Sequence, residues 1–267
     1  MIKSLYSKFI GIITFLLSVV LLLSFLTGCS PSDDAQSQEI MLFDSFRDIP
    51  DITEEEVAAI EALQAKYDYF VYAMPLSTEA FINDNGDIQG FTAFFTDWLS
   101  KLFEIEFRPE LIEWVDILDG LETGDVSFTG EMTPTVTRLE TYDMTRPIAM
   151  RPLKYYRLAG SMYIDEITAY RPLRCGFIQG TATILAVSSA LESGTFEVIE
   201  LDSVDEVYDA LQSGKIDAFY YSGVMEVNFI EHDDIIISEF FPLIFMPVSL
   251  TTQTPELKPI ISVVEKA

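Results

Sequence analysis

Apolar residues recur along this chain in two rhythms, and the rhythms divide it. The run GIITFLLSVVLLLSFL belongs to a stretch without charge between Lys8 and Asp33, with Lys3 and Lys8 before it. A positive start followed by an apolar block reads as an export leader, and the block is also long enough to span a bilayer. SPSDDAQSQE is polar and predicts a tether. TEEEVAAIEALQAKYDYF then carries apolar residues near helical spacing, with Thr53 and Glu56 placed for a capping box and acids crowding the first turn. From there the pattern alternates. YFVYAM, VSFTG, RPLRCGFIQG, FEVIEL and KIDAFYYSG read as strands. FTAFFTDWLSKLFEI, LIEWVDILDGLETG, TATILAVSSALESG and SVDEVYDALQSG read as helices. Gly124 and Gly194 suit helix ends, and Ser203 suits a cap. Such alternation predicts an α/β fold with mostly parallel strands and helical crossovers.

Two segments share a pattern. ILDGLETGDVSF and VYDALQSGKIDAF each run from an amphipathic helix through Leu, two residues and Gly into a strand. Ordinary helix-to-strand turn chemistry explains the likeness, and it also places one such unit in each half of the chain, as two similar lobes would require.

Charge narrows the function. The chain holds 43 acidic and 16 basic residues, a formal net charge of −27. That balance argues against nucleic acid and against broad attraction to anionic membranes, and leaves an anion only a local positive site. One histidine, His232, and two cysteines, Cys29 and Cys175, give no Cys/His metal cluster to build; no metal and no cofactor is expected. His232 lies in the polar run EHDD and reads as a loop residue. Cys175 reads as a small buried hydrophobe.

Against this acidity, GDVSFTGEMTPTVTR gathers threonines, glycine and Arg138. VSFTG reads as a strand and GEMTPTVTR as the loop after it, where open α/β sheets bind ligands. Thr133 and Thr135 offer hydroxyls and N–H groups, Pro134 stiffens the turn, and Arg138 offers a fork that fits a carboxylate or phosphate. Taken alone, the stretch favours a surface ion pair between Arg138 and an acid such as Glu140.

The ordered set NDNGDIQGF, EWVDILDGLETGDVSF, GEMTPTVTRLETYDMTRPI and VYDALQSGKIDAF resembles the bacterial extracellular solute-binding proteins of family 3. LTGCSP resembles the bacterial lipoprotein signal, which implies lipidation at Cys29. The resemblance implies a two-lobe periplasmic-binding-protein-like fold of type II. It sets residues 1–28 as signal peptide, 29–50 as tether, 51–66 as N-terminal helix, 67–155 as the first lobe, 156–240 as the second and 241–267 as an incomplete return to the first. The last helix stops inside its apolar pattern, so the chain reads as truncated at its C-terminus. TRLETYDMTRPIAMR and FFPLIFMPVSLTTQTPEL also resemble sensory modules of clostridial-type signalling proteins.

The implied function is extracytoplasmic binding of a small carboxylate-bearing, amino-acid-like solute between the lobes, without catalysis. It would serve an ABC permease or a membrane sensor output domain, from a lipid-anchored position at the cell membrane. The alternatives are a dehydratase-like enzyme of the same fold and a non-functional truncated lipoprotein. By resemblance, Arg138 takes the ligand carboxylate, Thr133 and Thr135 assist, Phe81 and Trp114 form aromatic walls, and Gly180 and Thr181 donate N–H groups. The position where amino-acid binders carry an acid for the ligand ammonium reads Ser222. Glu131 stands where a small residue is usual; it would either replace that acid or exclude the usual ligand. From the residues alone, Phe81 and Trp114 read as core rather than ligand wall.

Overall fold

The computed structural model describes residues 43–267, which form one unit. The leader and lipid-site expectations, residues 1–28 and Cys29, lie outside the described residues. After a short 3₁₀ turn at Phe46–Asp48, helix α1 (Glu54–Lys66) begins at the expected capping box. Thr53 Oγ1 accepts from Glu56 N at 3.2 Å and Glu56 Oε2 accepts from Thr53 N at 2.8 Å. Strand β1 (Tyr69–Met74) follows, then a hairpin of β2 (Phe81–Ile82) and β3 (Ile88–Gln89), helix α2 (Phe91–Phe103) and strand β4 (Glu106–Leu111). Helix α3 (Trp114–Thr123) ends on Gly124, whose φ of 87° suits glycine, and leads into β5 (Phe128–Met132). Helix α4 (Val136–Thr141), β6 (Asp143–Met144), β7 (Ala149–Leu158) and α5 (Ile164–Thr168) come next. The chain closes with β8 (Leu173–Ile178), α6 (Thr183–Ala190), β9 (Phe196–Leu201), α7 (Asp205–Gln212), β10 (Ala218–Ser222), β11 (Ile235–Glu239), β12 (Phe245–Thr252) and α8 (Lys258–Val264).

The strands order as β4-β1-β5-β12-β7-β10-β8-β9, with β11 on β7 and β6 on β12. Two parallel groups, β4-β1-β5 and β10-β8-β9, therefore flank a central antiparallel pair. That pair joins the lobes. Residues 249–252 of β12 pair with β5 and β6, while residues 245–248 pair with 149–152 of β7. The rest of β7 pairs with β10 and β11. The two look-alike segments of the sequence become equivalent units. α3 turns into β5, which meets β12, and α7 turns into β10, which meets β7. In each, an N–H after the glycine returns to the same helix: Val126 N to Gly120 O at 2.9 Å and Ile216 N to Ala210 O at 3.1 Å.

The first lobe buries an aromatic core in which Phe70, Phe107 and Phe128 pack with ring centroids 5.3–5.4 Å apart. Ile60 and Leu63 of α1 and Ile260 and Ile261 of α8 seal this core, so α1 is part of the lobe's scaffold. The second lobe packs Leu173, Cys175, Phe177, Val187 and Tyr220 on one face of its strands. Burial pushes the Cys175 thiol up to about 12, which keeps it an inert apolar filler.

Several local expectations are corrected. The helix expected to run to Gly194 ends at Ala190, and α7 is capped at Val204 without a side-chain bond from Ser203. GEMTPTVTR is not one loop: Glu131 and Met132 complete β5, and Arg138 lies on α4. Among the described residues no helix is long and apolar enough to cross a membrane.

Candidate functional site

The ends of several elements converge between the lobes, beyond the carboxyl ends of the parallel strands. Strand β5 and the residues after it deliver Glu131 and Thr133, α4 delivers Arg138, the start of α3 delivers Trp114, and β7 delivers Arg151. From the other side β10 ends in Tyr221 and Ser222, and Thr181 and Ala182 lead into α6 at Thr183. Together with Met246 and Val248 of β12 they line a cavity of about 30 Å³. That is room for one or two water-sized bodies. Larger hollows on the second lobe, around Tyr170 and Met162, lack this convergence.

Arg138 is held without a carboxylate. Thr135 caps α4 by accepting from Arg138 N at 3.2 Å, which fixes the helix that carries the side chain. Its Nη1 donates to Thr133 O at 2.9 Å and its Nη2 to Gly180 O at 2.7 Å, so one guanidinium ties a first-lobe carbonyl to a second-lobe carbonyl. The cation also lies 5.5 Å from the Trp114 ring centroid. Burial lowers the Arg138 pKa from its ordinary value, the sign of a charge that has lost water without gaining an anion. The surface pairing with Glu140 does not form, and no salt bridge involves Arg138 among the described residues. Further ties draw the lobes together: Thr78 N donates to Val224 O at 2.8 Å and Asn228 Nδ2 to Leu76 O at 3.0 Å.

Arg151 is held in the opposite way. Its side chain is 3 % exposed and sits between two carboxylates. Nη1 bonds Glu131 Oε2, while Nη2 and Nε meet the two oxygens of Glu79 at 2.6 and 3.3 Å. Burial works against the Arg151 charge, but the two carboxylates outweigh it and hold its pKa above the ordinary value. Burial likewise pushes the Glu131 carboxyl above its ordinary range in spite of Arg151. Glu131 is thus neither a free acid nor a bare obstruction; it is the partner of an arginine that the sequence reading missed. The signal was faint. Arg151 and Leu153 share the inward phase of β7, where an arginine needs a buried partner.

Of the residues picked from sequence, the structure brings together Trp114, Glu131, Thr133, Arg138, Thr181 and Ser222 around one cavity. Thr135 acts one step back, as the cap. Gly180 presents its carbonyl, not its N–H, to Arg138, and Thr181 N is committed to Ile178 O at 3.2 Å. Phe81 lies on the β2–β3 hairpin, 36 % exposed, and does not line the cavity. Two buried polar atoms of the cleft have no partner: Trp114 Nε1, a donor only, and Ser222 Oγ. The Ser222 carbonyl, by contrast, accepts from Tyr156 Oη at 3.0 Å. Among the described residues no group of three or more His, Cys, Asp and Glu is disposed to hold a metal ion. His232 stacks on Tyr208 with ring centroids 3.8 Å apart.

No family model matches the chain, and no curated protein matches it significantly. Many solved structures do. Holo ArgBP from T. maritima aligns with a TM-score of 0.60 at 15 % identity, over 77 % of this chain and 92 % of that one. The amino acid ABC transporter substrate-binding protein AbpA from Streptococcus pneumoniae, bound to L-arginine, gives 0.60 at 15 %, over 77 % and 91 %. The ancestral amino-acid-binding protein AncCDT-1, a precursor of cyclohexadienyl dehydratase, gives 0.59 at 14 %, over 77 % and 89 %. Two parallel strand groups joined by β7 and β12, with this overlap, show that the chain has the two-lobe α/β fold of periplasmic binding proteins.

Proposed function

We propose that the chain binds a small carboxylate-bearing solute between its lobes, with Arg138 as the anchor. The observation that carries this is the state of Arg138: half-buried, facing a cleft, and with its guanidinium bonded only to neutral carbonyls from both lobes. A half-buried guanidinium held only by neutral acceptors gains from an anion, because a charge-assisted pair is stronger than bonds to neutral acceptors. An incoming carboxylate would take the fork between the lobes, with Thr133 beside it. Ligand affinity that favours the joined lobes is the means by which such a protein shifts its own population.

The reading is of a binding protein, not an enzyme. Glu131, the one carboxylate lining the cavity, is bonded to Arg151, and His232 is engaged with Tyr208, which leaves no acid/base pair at the site. The structural neighbours include an amino acid ABC transporter substrate-binding protein and an ancestral amino-acid-binding protein, which supports solute capture for a membrane partner, either an importer or a sensor's output domain. The leader and Cys29 support an extracytoplasmic, lipid-anchored position.

Thermal melting across a metabolite library tests the reading, since a ligand of the native state alone raises Tm. A carboxylate is expected to shift the melt, and Arg138→Ala is expected to abolish the shift. A shift undiminished in Arg138→Ala, or a library without one carboxylate hit, would overturn it.

A further inference from the structure

The geometry points to Arg151 as the residue that selects which carboxylate enters: a short-chain 2-oxo or 2-hydroxy acid, in preference to the α-amino acid of the same skeleton. This rests on the reading of Arg138 as the carboxylate anchor and adds the chemistry of the neighbouring carbon.

The charged groups that line the cavity are Arg138, Arg151 and Glu131. The single carboxylate is already bonded to one of the two guanidiniums. Glu79 completes the set from behind: it does not line the cavity, and its carboxylate is engaged with Arg151 at 2.6 Å. A ligand ammonium placed against Glu131 would therefore have to compete with the Arg151 guanidinium that already holds this carboxylate. It would also need acceptors, because an ammonium carries three donors and accepts nothing.

One of the remaining unsatisfied groups asks for the reverse. Trp114 Nε1 can only donate and is buried without a partner, whereas the buried, unpartnered Ser222 hydroxyl can donate or accept and does not discriminate. Trp114 Nε1 belongs to the ring beneath Arg138, and a Cβ built on Gly180 would lie 3.7 Å from it. A donor therefore stands beside the place where Arg138 holds the carboxylate. The group on the next carbon that satisfies it is an acceptor: a carbonyl or hydroxyl oxygen, not an ammonium. A site with an unpaired buried donor discriminates against a ligand that cannot satisfy it. Met246 and Val248 give the rest of the cavity an apolar wall, and with room for one or two water-sized bodies the joined lobes must part to admit even a short acid.

Pyruvate, lactate and alanine share one skeleton and differ at C2, as do glyoxylate, glycolate and glycine. Calorimetric titration of the purified full chain with both series is the test. The oxo or hydroxy acid is expected to bind at least about tenfold tighter than its amino partner, a difference of about 1.4 kcal/mol. Arg151→Met, which releases Glu131, is expected to shrink or reverse that ratio. Should Arg151→Met fail to fold, Glu131→Gln, which leaves Arg151 on Glu79, is expected to keep the preference. Alanine or glycine binding as well as its partner in the wild type, in an Arg138-dependent way, would overturn the selection while leaving the anchor intact. Silence from both series would overturn it too; a carboxylate hit in the melting screen would then still support Arg138.

Discussion

Arg138 and Arg151 line the same cavity of about 30 Å³, yet they are held by opposite means. Arg138 reaches across the lobes to two neutral carbonyls, and burial depresses its pKa. Arg151 stays between two carboxylates of the first lobe, and they raise its pKa against the effect of burial. One guanidinium keeps its charge available; the other spends it on the scaffold. Identity of side chain and shared location therefore say little about role. What decides is whether a partner inside the protein has already neutralised the group. The same comparison recasts Glu131, which is an acid by sequence and an internal counter-ion by structure.

The largest effect that could break this comparison is on stability. Removing one member of a buried ion pair leaves an uncompensated charge, so Arg151→Met is expected to cost about 3–5 kcal/mol. Arg138→Ala loses two bonds to carbonyls, each worth about 0.5–1.5 kcal/mol, but also relieves a half-buried cation without an anion, so its net cost is expected to be small. Urea unfolding of both variants with unchanged m values reads the difference. Equal losses would show that the two arginines are both structural.

A partly exposed pair gives an intermediate effect. Glu56 lies at the foot of α1, bonded to Lys266 at 2.6 Å and Ser262 at 2.7 Å near the end of α8. Burial opposes its charge, but the bonds from Lys266, Thr53 N and Ser262 outweigh burial and bring its pKa down from 4.5 to about 2. The sign follows from linkage. A depressed carboxylate stabilises the fold above its ordinary pKa, and that contribution is lost as pH falls from about 4.5 through about 2. Glu56→Gln is expected to cost on the order of 1–2 kcal/mol at neutral pH, with the gap to the wild type closing across that window. Melting curves from pH 7 to pH 2 check it; a gap independent of pH would mean that packing, not charge, ties α1 to α8.

The legible and illegible parts divide by sequence distance. The capping box of α1, the strand YFVYAM, the turn at Gly124 and the equivalence of the two halves are set by residues within one or two turns of each other. They stand where the patterns placed them. The central strands were not legible. AMRPLKYYRL mixes arginines, a lysine and a proline with apolar residues, because β7 passes through the cleft and pairs with different strands along its length. The pairing of Arg151 with Glu131 and Glu79 spans 20 and 72 residues, and no local rhythm records it. Arg138 was placed at the cleft only by the family resemblance; the residues alone favoured a surface ion pair with Glu140, which does not form among the described residues.

The smallest effect concerns the aromatic that sequence placed in the cleft and the structure does not. Phe81 stands on a two-residue strand, 36 % exposed, whereas Trp114 is 3 % exposed and lines the cavity. A side chain on a hairpin edge contributes to affinity only if it contacts the ligand. Phe81→Ala is therefore expected to change the affinity for the tightest acid of the matched series by less than about twofold, under about 0.4 kcal/mol. Titration of that acid into Phe81→Ala beside the wild type is the measurement. A loss approaching that of Arg138→Ala would mean that the hairpin folds over the bound solute, and that the aromatic wall has two members.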